Sequence, residues 1–141
     1  MPFYRTQEAG FDIPSGWVDG TVTSLEYRRP EGLIRLLVAR TVTEDKPLAE
    51  LVEMRLADLR RKLPFFELER QAEGLTGGMA SVEVVATFRE GEQQSYQRGL
   101  CFILDRKFMV LSVNGPVALR GEMDVMFGQA SATLRPRPRG D

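Results

Sequence analysis

The chain has 141 residues, of which 43% are hydrophobic and 28% charged, and its net charge is −1. This length and composition predict one globular domain, and the nearly balanced charge argues against a general affinity for nucleic acid or anionic membranes. The absence of histidine and the single cysteine exclude histidine-dependent catalytic triads, cysteine-rich zinc sites and an intrachain disulfide.

The first third of the chain is predicted to form short strands. Residues 3–7 and 11–13 favour two strands, and residues 22–27 and 33–41 favour a hairpin across an Arg-Pro-Glu-Gly turn. The first twelve residues are polar and interrupted by charges, and the sequence contains no apolar run of signal-peptide or membrane-spanning character. We therefore expect a cytoplasmic protein without stable membrane insertion.

Two helices are predicted. Apolar residues recur at helical spacing from Leu48 to Leu63, with Pro47 in the first turn and Pro64 as the stop. A second helix is predicted over residues 117–134, after the Asn-Gly-Pro that follows the last strand.

Four further strands are predicted between the helices, over residues 67–71, 80–88, 95–104 and 107–113. Strands followed by a helix, more antiparallel strands and a final helix predict an α+β domain with both helices packed on one face of the sheet. We expect this single domain to span residues 1–134 and to end in a flexible, proline-rich tail over residues 135–141.

No catalytic motif is present. The glycines of residues 74–78 lack the Lys-Ser/Thr that completes a phosphate-binding loop. Glu67 and Glu69 share a strand face, but spacing alone does not make them an acid–base pair. Cys101 lies in an apolar run and is expected to be a small packed residue. We expect no enzymatic activity and no metal site.

Side-chain alternation along the strands points instead to a binding surface. Tyr96, Leu100 and Phe102 are predicted to point towards the core, whereas Gln97 and Gly99 point the other way. Applied to three strands, this alternation predicts a shallow trough of small and mildly polar residues: Val22, Ser24, Leu37, Ala39, Gln97 and Gly99. Small residues let a helix backbone approach closely, and Ser or Gln can hydrogen-bond to it. The same pattern is also compatible with ordinary sheet positions of mixed exposure.

A family resemblance extends along most of the chain. The sequence resembles the DcrB-like family, whose domains have a PsbP-like fold. The resemblance begins with the segment from Phe11 to Val22, which reads FDIPSGWVDGTV. It continues through Val38-Ala-Arg, Pro47-Leu-Ala-Glu-Leu-Val, Leu63-Pro-Phe-Phe-Glu-Leu, Leu75-Thr-Gly-Gly-Met-Ala and Gln97-Arg98.

Within that family, the start of the chain, MPFYRTQEA, is similar to that of the Eag-type chaperones of type VI secretion. The resemblance implies a homodimer, without cofactor or metal, that binds the hydrophobic N-terminal helices of a secreted effector. The matching client-binding positions are Val22, Ser24, Leu37, Ala39 and Gln97. Arg35 departs from that pattern, because a charge on this face must reach the rim to stay solvated.

Two other functions remain open at the level of sequence. One is a structural or regulatory PsbP-like module that binds a different protein through the same sheet. The other is a small-ligand-binding protein. A copurifying apolar peptide would favour the chaperone, whereas a bound small molecule would favour the ligand-binding protein.

Overall fold

The structure is a computed structural model that describes residues 3–5, 9–12 and 23–136, with side chains from residue 24 to residue 134. Within these described residues, two α-helices, one 3-10 turn and nine strands follow one another. They are β1 (Phe3–Arg5), β2 (Ala9–Asp12), β3 (Thr23–Arg29), β4 (Gly32–Val42), α1 (Leu48–Lys62), β5 (Glu67–Thr76), β6 (Met79–Glu90), β7 (Gln93–Leu104), β8 (Lys107–Pro116), the 3-10 turn Val117–Leu119, α2 (Arg120–Thr133) and β9 (Arg135–Pro136).

The main sheet has six antiparallel strands in the order β3-β4-β8-β7-β6-β5, and β1, β2 and β9 form a small second sheet. Every neighbouring pair in the main sheet is a hairpin except β4 and β8, which meet after the chain has passed through α1 and the three strands β5–β7. The β7–β8 hairpin turns at Asp105 and Arg106, whose φ angles of 52° and 62° match a type I′ turn. The predicted antiparallel α+β architecture is confirmed.

The two helices pack on opposite faces of the main sheet. Met123 and Phe127 of α2 belong to a cluster with Leu36 and Leu111, whereas Leu56 of α1 belongs to a second cluster with side chains such as Val110. Since Val110 and Leu111 are consecutive on β8, they point to different faces. The central strands therefore have an apolar layer on each side.

The prediction that both helices share one face of the sheet is therefore wrong. The reason is visible in β8, where residues 108–113 are all buried. A continuous apolar run is typical of a strand covered on both faces, whereas a strand with one solvent-exposed face alternates. The prediction relied on β7, where the face that carries Gln97 and Gly99 has small and mildly polar residues and so resembles a face without a helix.

Several element boundaries differ from the predicted ones, and two of these differences change the description of the fold. Strand β5 runs to Thr76, so the β5–β6 turn is confined to Gly77 and Gly78, whose φ angles are 57° and 80°. Arg135 and Pro136, predicted to belong to the tail, form β9 and pair with Gly10 and Ala9 of β2. The predicted boundary after residue 134 is thus two residues early, and residues 137–141 lie outside the described part of the chain.

No helix within the described residues is long and apolar enough to cross a membrane.

Gly32 lies where the β3–β4 hairpin packs closely against the end of β8. Its φ angle is 145°, and a Cβ atom there would lie 2.6 Å from Cγ of Pro116. We expect Gly32→Ala to lower the free energy of unfolding by about 1–3 kcal/mol, because it adds both backbone strain and a steric clash. Urea denaturation measures the effect. Gly128→Ala is the matched control: a Cβ there has nothing within 4 Å, and alanine in a helix should stabilise by about 0.5–1 kcal/mol.

Candidate functional site

The trough residues that the structure describes lie together on the α1 face of the main sheet. Ser24 of β3 pairs with Leu37 of β4, and two residues further along β4 is Ala39. Gln97 of β7 is on the same face, because it alternates with Tyr96 and Phe102 of the α2 core. Ser24 is exposed, whereas Leu37, Ala39 and Gln97 are half-buried. Val22 lies outside the described residues.

Strand β8 lies between the trough residues of β3 and β4 and those of β7. Leu37 pairs with Ser112 of β8, and Ser112 pairs with Gly99 of β7. One row of the sheet face therefore reads Ser24, Leu37, Ser112 and Gly99. In the next row, Gln97 pairs with Asn114, whose amide donates a hydrogen bond to Ser112 Oγ at 3.2 Å. The floor of the trough is thus made of small and polar side chains, with Leu37 as its largest apolar member.

Helix α1 lies over the other half of this face. The cluster beneath it contains side chains of β6, β7 and β8 and, within the described residues, none of β3 or β4. Six strands spaced at about 4.8 Å make a face roughly 24 Å wide, and a helix with its side chains is about 10–12 Å across. The width of the face therefore matches two helices side by side, and α1 supplies one of them.

Gly99 keeps the floor of the trough low. A Cβ atom at this position would meet Ser112 Cβ at 3.5 Å and no atom closer, which is ordinary van der Waals contact. The fold therefore tolerates a small side chain at residue 99, and glycine is not required by the neighbouring strands. Gly99 is itself buried, and its lack of a side chain keeps this part of the sheet surface flat.

Arg35, the charged residue in the predicted pattern, lies at the rim of the trough. It pairs across the hairpin with Glu26, and its Nε is 3.6 Å from the Glu26 carboxylate. The Arg35 side chain is 56% exposed, so solvent and Glu26 both compensate its charge. Arg35 therefore marks the edge of the apolar surface.

Arg55 is a residue of the site that the sequence analysis missed. It stands on the inner side of α1, one turn after Leu51 and next to buried Leu56, and it is itself half-buried. Burial lowers the pKa of its guanidinium, and the buried Cys101 of β7 is close enough to interact with it electrostatically. Arg55 was missed because the predicted helical periodicity was based on apolar residues alone, and Arg55 is a charged residue among the inward-facing apolar residues of α1.

Cys101 itself has no features of a reactive thiol. It is 1% exposed, and burial raises its pKa to about 11. The thiol therefore stays protonated at neutral pH and cannot neutralise Arg55. Within the described residues, no group of three or more His, Cys, Asp or Glu side chains could hold a metal ion.

The Gln97-Arg98 pair splits between the two faces of the sheet. Gln97 faces the trough, whereas Arg98 turns to the α2 face. There the Arg98 guanidinium donates hydrogen bonds to Glu83 at 2.9 Å and to Asp124 of α2 at 3.2 Å, and it stacks 4.5 Å from the Phe127 ring centre. Asp124 also accepts a 2.6 Å hydrogen bond from Tyr96, whose pKa is raised to about 12 by burial and by this carboxylate. Arg98 thus anchors α2, whereas Gln97 lies on the trough face.

Solved structures that share this fold include the following three. PA94, a protein of unknown function from Pseudomonas aeruginosa, has a TM-score of 0.76 at 23% identity, covering 98% of both chains. LpqN of Mycobacterium tuberculosis, involved in cell envelope biogenesis, has a TM-score of 0.67 at 12% identity, covering 92% of this chain and 83% of LpqN. Cyanobacterial PsbP (CyanoP) from Synechocystis has a TM-score of 0.64 at 14% identity, covering 96% and 92%.

The likeness to CyanoP confirms the predicted PsbP-like fold. A search of curated proteins finds no significant match. The family model described as DcrB matches residues 8–130, which include both helices except for the end of α2 and all six strands of the main sheet. The chain belongs to the DcrB family.

Proposed function

We propose that this protein is a cytoplasmic, non-enzymatic chaperone that binds the hydrophobic N-terminal helices of a type VI secretion effector before export. An apolar segment of about 20 residues, long enough to span a bilayer, aggregates in water or inserts into the wrong membrane. A protein that covers such a segment until secretion prevents both outcomes. The client is inferred from the resemblance to Eag-type chaperones. The trough supports the proposal because its small and polar side chains suit the binding of a helix.

The observation that carries the proposal is the unequal covering of the α1 face. Helix α1 packs on β6, β7 and β8, and beside it lie Ser24, Leu37 and Ala39 on the two strands that contribute nothing to that cluster. A client helix placed there would lie alongside α1 on a floor of small residues. Gln97 and Ser24 would hydrogen-bond to polar groups of the client that water no longer reaches.

The width of the trough also favours a homodimer. One sheet face covers one side of a helix about 10–12 Å across, and the other side of the client stays in water. A second copy, with its own trough turned towards the first, would cover that side. We therefore expect a dimer that encloses the client, assembled without metal or disulfide.

Co-purification tests the proposal. The probe is a 20-residue Leu/Ala segment at the N-terminus of a soluble reporter, co-expressed with this chain. We expect the wild-type protein to keep the reporter soluble and to co-elute with it as a complex containing two copies of the chain by light scattering. A soluble fraction no larger than that of the reporter expressed alone would contradict the chaperone, and a small molecule retained instead would favour the ligand-binding function.

Gln97→Ala measures the polar part of the contact. We expect it to weaken retention of a Leu/Ala segment with one central Asn by about 1–3 kcal/mol, because the polar group that Gln97 satisfied stays buried and unpaired. Gln94→Ala is the matched control, since Gln94 is an exposed residue of the same strand that alternates to the other face. Equal retention by the two variants would remove Gln97 from the binding site.

A further inference from the structure

Arg55 lies on the side of α1 that faces the trough. The opposite side of the helix faces β5, because Glu53 accepts a hydrogen bond from Gln71 of that strand at 3.4 Å. Residues two apart are about 200° apart around a helix, so Arg55 is turned away from β5 and towards β8 and β4. The electrostatic contact with Cys101 agrees with this placement, because Cys101 pairs with Val110 and Val110 with Ala39 of the trough.

The Arg55 guanidinium has no hydrogen bond or ion pair with another described residue. Asp58, the carboxylate that interacts with it electrostatically, is already bonded to Lys62 at 2.9 Å and to Arg61. The floor beside it is made of neutral residues such as Gly99 and Ser112. A partly desolvated cation without a partner lowers the stability of a fold, so its presence on the inner stripe of α1 needs another explanation.

We propose that Arg55 selects the client: it forms an ion pair with a carboxylate side chain carried by the apolar helix that occupies the trough. This inference rests on the proposed chaperone function and adds a chemical requirement to it. The carboxylate supplies a negative charge that no other described residue provides to Arg55, and Arg55 neutralises an acidic residue that would otherwise be buried against an apolar surface. Both desolvated groups gain a partner only in the complex, so the pair distinguishes acidic apolar helices from neutral ones.

Three reporter segments test this inference: the Leu/Ala segment alone, the same segment with one central Asp, and the same segment with Asn in place of that Asp. We expect wild-type protein to retain the Asp segment at least about tenfold more tightly than the Asn segment, as for a charge-assisted hydrogen bond. Arg55→Met should remove this preference while still binding the neutral segment. Arg55→Glu should reverse it in favour of a segment with one central Lys. Arg61→Met, which removes an exposed arginine of the same helix, should leave it unchanged.

Thermal melting separates a binding role from a structural one. Since Arg55 has no partner to lose, Arg55→Met should melt at or above the wild-type temperature. A clear decrease would show that Arg55 supports the fold, and it would overturn the inference. Equal retention of the Asp and Asn segments by wild-type protein would also overturn it, while leaving the chaperone function standing. Failure to retain any of the three segments would overturn both.

Discussion

Replacing Phe127 with alanine is expected to lower the free energy of unfolding by about 3–5 kcal/mol, which is a large part of the stability of a domain of this size. Phe127 is 2% exposed and packs in the α2 cluster with Met123 and Leu111. Its removal leaves a cavity between α2 and the sheet and takes away the ring on which Arg98 stacks. Urea denaturation followed by circular dichroism gives the difference directly.

Two companion variants locate the source of the Phe127 effect. Phe127→Leu keeps most of the buried apolar volume and loses the ring, so the remaining loss of about 0.5–2 kcal/mol is an upper bound on the stacking of Arg98. Val125→Ala removes an apolar side chain that is 69% exposed on the same helix, and we expect a change within about 0.5 kcal/mol. A cost below about 1 kcal/mol for Phe127→Ala would mean that α2 does not hold the sheet as described.

The strand faces could be predicted because alternation with a period of two is a local property. Leu36 and Leu37 are neighbours in sequence, and assigning one to the core assigns the other to the opposite face. The same logic placed Tyr96 in the α2 core and Gln97 in the trough. In the structure Ser24, Leu37, Ala39 and Gln97 lie on one face of the sheet, as the alternation predicts.

The position of α1 could not be predicted in the same way. The two faces of a strand such as β8 are both apolar in sequence. No local sequence feature therefore indicates which helix covers which face. The crossover from β4 through α1 to β5, at the far edge of the sheet, decides it. Arg55 was missed for a related reason. Its spacing from Leu51 and Val52 was available in the sequence, but the surroundings of a long charged side chain depend on which face of the sheet the helix covers.

Leu37→Asp is expected to abolish retention of an apolar client helix, with a loss of at least about 3 kcal/mol, or more than a hundredfold. Leu37 is the largest apolar residue of the trough floor and pairs with Ser24 on one side and Ser112 on the other. A carboxylate at residue 37 would be buried without a partner against the client, or it would form an ion pair with Arg55 and so prevent Arg55 from binding the client. Either way the bound state loses free energy. Ala39→Asp should act in the same direction from the next position along the face.

The control for this substitution is Leu75→Asp, the same change at a leucine that is 78% exposed near the end of β5, at the opposite edge of the sheet. Co-purification with the 20-residue Leu/Ala segment gives retention, and thermal melts show whether each variant is folded. If folded Leu37→Asp and Ala39→Asp variants retained the segment as well as Leu75→Asp does, the trough would not be the binding surface. If only the two trough variants lose it, the client lies beside α1 on β3 and β4, because a charge weakens binding only where the apolar helix displaces water.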